Sequence, residues 1–153
     1  MNRWGRIVLA LSALATLAWA GAGLTGRSVV DDPTLARHTL LSFVILLALV
    51  LTHGWVAVFA LVSGSLLRRR VEPGMETARQ LTRARRLAVV AATVAVAVAL
   101  AQFLVSNALY PARLKAGQHG MFGWASVVVL ALAWLAERSA LARHGSTLAT
   151  LSE

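Results

Sequence analysis

The sequence predicts an all-α protein, an integral membrane up-and-down bundle of four transmembrane helices. Three observations predict it. Four long apolar stretches, roughly residues 7–24, 40–67, 87–109 and 121–135, alternate with short polar segments in a chain of 153 residues. Hydrophobic residues make up 58% of the chain and charged residues 14%, where a soluble domain carries about 25% charged residues. The third observation is length. Runs of about 18 or more apolar residues cross a hydrocarbon core of about 30 Å. Backbone groups in lipid must be satisfied internally, so such runs are helices or a closed barrel. No alternating polar pattern supports a barrel, and the chain is too short for a second domain.

The first helix is expected over residues 4–24, ended by Gly21, Gly23 and Gly26. Arg3, Arg6, the apolar run and Ala18-Trp19-Ala20 also mimic a signal peptide with its small-residue cleavage site; we expect a retained helix. Asp32-Pro33 is a strong helix start, because aspartate caps and proline tolerates the first helical position. The second helix is therefore expected over 33–68, longer than the hydrocarbon needs and so tilted or projecting. Glu72-Pro73-Gly74 breaks the helix there, and Met75–Arg86 reads as a basic helix lying at, or rising from, the cytoplasmic surface, within a basic connector over 69–86. The third helix is expected over 87–110, ended by Pro111. Its run Val94-Ala95-Val96-Ala97-Val98-Ala99 would suggest a strand in water, but in lipid the length decides for a helix. The fourth is expected over 118–138, followed by a polar, frayed tail.

Charge gives the expected topology. Arg3, Arg6, Arg68, Arg69, Arg70, Arg79, Arg83, Arg85, Arg86, Arg138 and Arg143 fall on one side of a four-helix arrangement; only Arg27, Arg37, Arg113 and Lys115 fall on the other. By the positive-inside rule both termini are cytoplasmic, here in a bacterial inner (plasma) membrane. The net charge of +9 is then explained by topology and anionic lipid, not by nucleic acid. Trp4 and Trp134 near the inner interface and Tyr110 near the outer one fit an aromatic belt. There are no cysteines, which removes disulfides, thiolate metal sites and thiol catalysis.

Four histidines are the residues that invite chemistry. His38 at the outer end of the second helix and His119 at the outer start of the fourth share a depth. Two such histidines can hold haem iron from both sides or bind a metal ion, and helical bundles house such cofactors. Gly117, Gly120 and Gly123 leave space beside His119 for a flat macrocycle or for another helix. Arg37, Arg113 and Lys115 lie level with them and can pair with propionates. The plainer reading is two solvated imidazoles and tight helix packing. Asp31 and Asp32 could join His38 and His119 around an external metal ion, although their spacing is no motif.

His53 lies near the middle of the second helix, about 22 Å below His38 and rotated from it by only about 60°. An intramembrane imidazole is costly and usually faces the bundle or a cavity. A five-coordinate haem, a quinone hydrogen bond and a proton step are open to it; the bland alternative is one interhelical hydrogen bond, worth about 0.6 kcal/mol. Ser12, Thr16 and Ser126 reach a comparable depth, and Gln102 lies nearer the outside. His144 is placed in the tail. No carboxylate falls within an apolar run, since Glu72, Glu76, Glu137 and Glu153 read as inner-side residues. Paired-carboxylate catalysis and a carboxylate-lined ion path are therefore not expected. The segment Val62-Ser63-Gly64-Ser65 lacks a phosphate-loop lysine.

The segment Arg37-His38-Thr39-Leu40 through Leu51-Thr52-His53-Gly54, then Val62-Ser63-Gly64-Ser65-Leu66-Leu67-Arg68, resembles the second helix of small, uncharacterised bacterial four-helix membrane proteins. Gln118-His119-Gly120 resembles the start of their last helix. A more distant likeness is to four-helix haem-binding membrane proteins of the protoporphyrinogen-oxidase and copper-resistance types. The resemblance implies a membrane bundle with a histidine leading the second helix and another near its middle.

The leading expectation is a small subunit of a redox or respiratory-type membrane complex. His38 and His119 would ligate a b-type haem, Arg37 and Arg113 would offset propionate charge, and His53 would serve a deeper site or a quinone. The alternative is a cofactor-free structural or accessory subunit packed against larger membrane partners. An enzyme or transporter in its own right is disfavoured by the scarcity of charge in the apolar runs.

Overall fold

The computed structural model describes residues 3–25, 32–69, 71, 76–109 and 116–150. It is all-helical: α1 (Arg3–Thr25), α2 (Asp32–Arg68), α3 (Glu76–Leu109) and α4 (Ala116–Thr150). Each contains a segment long and apolar enough to cross a membrane, namely Trp4–Leu24, Pro33–Leu66, Glu76–Asn107 and Gly120–Ser146. The helices close a ring in chain order, α1 to α2 to α3 to α4 and back to α1, and α2 approaches α4 across one diagonal. Two indole hydrogen bonds fix α1 antiparallel to α4. Trp19 Nε1 donates to Ser126 Oγ at 3.0 Å, and Trp134 Nε1 donates to the Leu9 carbonyl at 2.9 Å. Both termini therefore lie at one end, called here the termini end.

The interior follows a heptad rhythm. Leu49, His53, Val56 and Ala60 are buried on α2; Ser126, Leu130, Ala133, Glu137, Ala140 and His144 are buried on α4. Alternating steps of three and four keep one stripe inward, the spacing of left-handed helix packing. α3 contributes small side chains, Ala84, Ala88, Ala91, Ala95 and Ala99, which let helices approach closely. Large apolar side chains point outward instead: Leu17, Leu51 and Met121 are 68%, 70% and 74% exposed. A bundle that keeps alanines and polar groups inside and leucines outside suits an apolar surrounding rather than water.

Two boundaries differ from the sequence expectation. The surface helix expected from Met75 is not separate, because α3 runs unbroken from Glu76. Its first turns carry Leu81, buried together with Val71 of the connector, so the core extends beyond the apolar run. α4 continues well past Arg138 to Thr150. Ala140, Leu141 and His144 keep its inward stripe going, and that packing sustains the helix where composition alone suggests a frayed tail.

Candidate functional site: a buried histidine–glutamate pair

His53 and Glu137 meet across the α2–α4 diagonal. His53 Nδ1 lies 2.7 Å from Glu137 Oε1, and both side chains are 0% exposed. At that separation one proton sits between nitrogen and oxygen, either on Nδ1 and donated to a carboxylate or on Oε1 and donated to the ring nitrogen, according to the tautomer. The pair divides the core into two apolar clusters. Leu49, Ala95, Leu130 and Ala133 lie on one side; Val56, Ala60, Ala88, Ala140 and Leu141 lie on the other. Ser12 of α1 falls between the two clusters along its helix and is fully buried, its hydroxyl donating to the Leu9 carbonyl at 3.1 Å. The polar layer thus draws on three helices, while α3 offers only alanine at that level.

Depth follows from helix geometry. His53 lies about 5 Å and Glu137 about 6 Å past the midpoints of their apolar segments, both toward the termini end. The glutamate was expected at the inner boundary, beyond any apolar run. The structure corrects this: Glu137 lies inside the segment Gly120–Ser146. Its neighbour Arg138 faces outward, with Cζ 5.8 Å from the Trp134 ring centre, so a cation on the outer face covers the indole while the next residue along points inward.

Two polar atoms of the pair, His53 Nε2 and Glu137 Oε2, are buried without a hydrogen-bond partner in the chain. The third such atom among the described residues is His144 Nε2. His144, expected in the tail, is 3% exposed and hydrogen-bonds the backbone of Ser63. It sits where three helices crowd together: a Cβ added at Gly64 would lie 3.0 Å from Arg85 Cδ and 3.5 Å from His144 Cε1. Gly64 thus sits at a close approach, where a larger side chain would press on Arg85 and His144.

The outer-end candidates are placed differently. Arg37 is exposed and His38 half-buried in the first turns of α2. His119 lies in the first turn of α4, but its side chain falls outside the described residues, as do Asp31, Arg113 and Lys115. Gly120 and Gly123 have nothing within 4 Å of an added Cβ among the described residues, so none of these packs tightly against them. Among the described residues no group of three or more His, Cys, Asp or Glu side chains is positioned to hold a metal ion.

Sequence reasoning found His53, Ser12 and Ser126, and missed Glu137 and His144. The signal that finds them is the stripe Leu130, Ala133, Glu137, Ala140, His144, which repeats at three and four residues across the assumed helix end. No family model matches this chain, and neither a curated protein nor a solved structure matches it.

Proposed function

We propose that the chain is a small integral membrane subunit of a redox or respiratory-type assembly, in which the His53–Glu137 pair takes up and releases a proton inside the bilayer. In this reading all four helices cross a bacterial inner membrane, and the termini end, rich in arginine, faces the cytoplasm. The observation that carries the proposal is the pair itself, wholly buried, with one ring nitrogen and one carboxyl oxygen unpartnered. An ionisable group in a membrane interior is by default a functional candidate. A carboxylate on Nδ1 fixes the imidazole and directs Nε2 at whatever is to be bound, as second-shell carboxylates do for ligating histidines.

The close packing of Leu49, Val56 and Leu130 around His53 suits a proton or a quinone oxygen there better than a macrocycle. A b-type haem, in this proposal, belongs to His38 and His119 at the outer end, with Arg37 and Arg113 beside its propionates. The test is infrared difference spectroscopy of the reconstituted protein across pH, alongside an optical spectrum and quinone extraction. A titrating carboxyl band that vanishes in Glu137→Gln is expected. A pair that never titrates, with no Soret band and no extracted quinone, overturns the proposal.

A second reading is favoured by one observation: the pair is enclosed between two apolar clusters. A cofactor-free structural subunit would use it only to lock α2 to α4. In that case an apolar replacement of both residues preserves assembly and partner activity.

A further inference from the structure

The three buried, unpartnered side-chain atoms lie along one stripe. Glu137 and His144 are seven residues apart on α4, two full turns, so they project from the same face about 10 Å apart along the axis. His53 Nε2 and Glu137 Oε2 stand at the deeper position and His144 Nε2 at the shallower one, nearer the termini end. Between them lies a single apolar layer, formed by Val8, Leu9, Val56, Ala60, Ala88, Ala140 and Leu141, with Phe59 and Trp134 packed against it.

We propose that His144 is the relay through which the His53–Glu137 pair exchanges protons with water at the termini end. The inference rests on the pair being a proton site, as argued above, and adds its route and its side. Both histidines are held in the same way. One ring nitrogen is fixed, His53 by Glu137 and His144 by the Ser63 backbone, and Nε2 is left open. In the inward step His144 Nε2 gives its proton to a chain of about three waters, spaced at ordinary hydrogen-bond distances, that enters this layer transiently. The last water delivers a proton to Glu137 Oε2 or His53 Nε2, and His144 is reprotonated from bulk water. The outward step is the reverse.

The groups around the route are few. At the pair, α1 offers the Ser12 hydroxyl and α3 offers Ala88, Ala91 and Ala92. Around His144, α3 brings Arg85, whose Cγ and Cδ lie against Gly64 of α2. Arg143 is the neighbouring charge on α4, and Arg6 of α1 is exposed at the same end.

The experiment is hydrogen–deuterium exchange at the pair, followed by rapid-mixing infrared spectroscopy of the Glu137 carboxyl band in the full-length reconstituted chain. His144→Asn retains a side chain able to hydrogen-bond the Ser63 backbone but does not titrate; it should slow exchange at least tenfold. His144→Leu should slow it as much. Gln102→Leu, toward the opposite end, should leave the rate unchanged. Circular dichroism and thermal unfolding of each variant separate a slowed relay from a misfolded bundle. His144→Asn exchanging within twofold of wild type, in a folded protein, overturns the relay. Slowing by Gln102→Leu instead reverses the side and also overturns it. A wild-type pair that never exchanges removes the proton site itself, a failure distinguishable from failure of the relay alone.

Discussion

Removing one member of the His53–Glu137 pair should destabilise the bundle, and removing both should not. Glu137→Met deletes the partner of His53 Nδ1, and with Nε2 already unpartnered the imidazole is left buried with no hydrogen bond at all. An orphaned buried polar group costs about 1–3 kcal/mol, and loss of one member of a buried charged pair reaches about 3–5 kcal/mol. His53→Leu strands the Glu137 carboxyl in the same way. The double variant His53→Leu/Glu137→Met removes every polar atom at near-constant volume, a change that is commonly neutral or stabilising by about 1–4 kcal/mol.

The cycle therefore predicts a coupling of on the order of 4 kcal/mol, far above the roughly 0.6 kcal/mol average of interhelical hydrogen bonds in membranes. Unfolding in mixed micelles titrated with a denaturing detergent, or steric trapping in bilayers, measures all four corners. Two single variants each within about 0.5 kcal/mol of wild type would refute the enclosure of the pair on which this reasoning depends.

Three further outcomes follow from other contacts. Gly64→Ala gains helix propensity of about 1 kcal/mol against a contact 3.0 Å from the flexible Arg85 side chain, so its stability should stay near wild type in detergent unfolding. Gly64→Leu should lose about 1–3 kcal/mol by overpacking. Trp19→Phe loses the hydrogen bond to Ser126 and part of the buried ring volume and should cost about 1–2 kcal/mol, whereas Trp19→Ala empties the site and should cost about 3–5 kcal/mol. Because the chain has no cysteine, single cysteines report its topology in spheroplasts. Arg37→Cys should react with an impermeant thiol reagent from outside, and Ser146→Cys only after permeabilisation; the reverse pattern would overturn the positive-inside assignment.

The helices were legible because apolar runs of this length leave the backbone few choices: in an apolar medium such a run satisfies its own hydrogen bonds as a helix, whatever its local propensity. His53 was legible because a polar residue stands out inside such a run. Glu137 was not, for a specific physical reason. It precedes Arg138 in a segment whose hydropathy falls, and two adjacent charges read as the membrane boundary. On a helix, however, adjacent residues project about 100° apart. Arg138 points outward and lies over Trp134, where a long side chain keeps its charge near polar surroundings. Glu137 takes the inward position. Hydropathy averages over both faces and so loses this distinction; the heptad stripe preserves it. His144 escaped notice by the same route, since the helix end was drawn six residues before it.

Stability alone does not account for what occupies this layer. The neighbouring layers of the core are filled by leucine, valine and alanine, and such residues would fill this one without any unpartnered atom. The sequence instead places serine, histidine and glutamate on three helices at one depth, leaves two of their polar atoms without partners, and puts a second histidine with an open nitrogen two turns away. Each of these features costs stability relative to an apolar layer. On the proposed reading, what the arrangement supplies in return is a place inside an apolar bundle for a proton and a direction from which it arrives, and neither can be built from leucine.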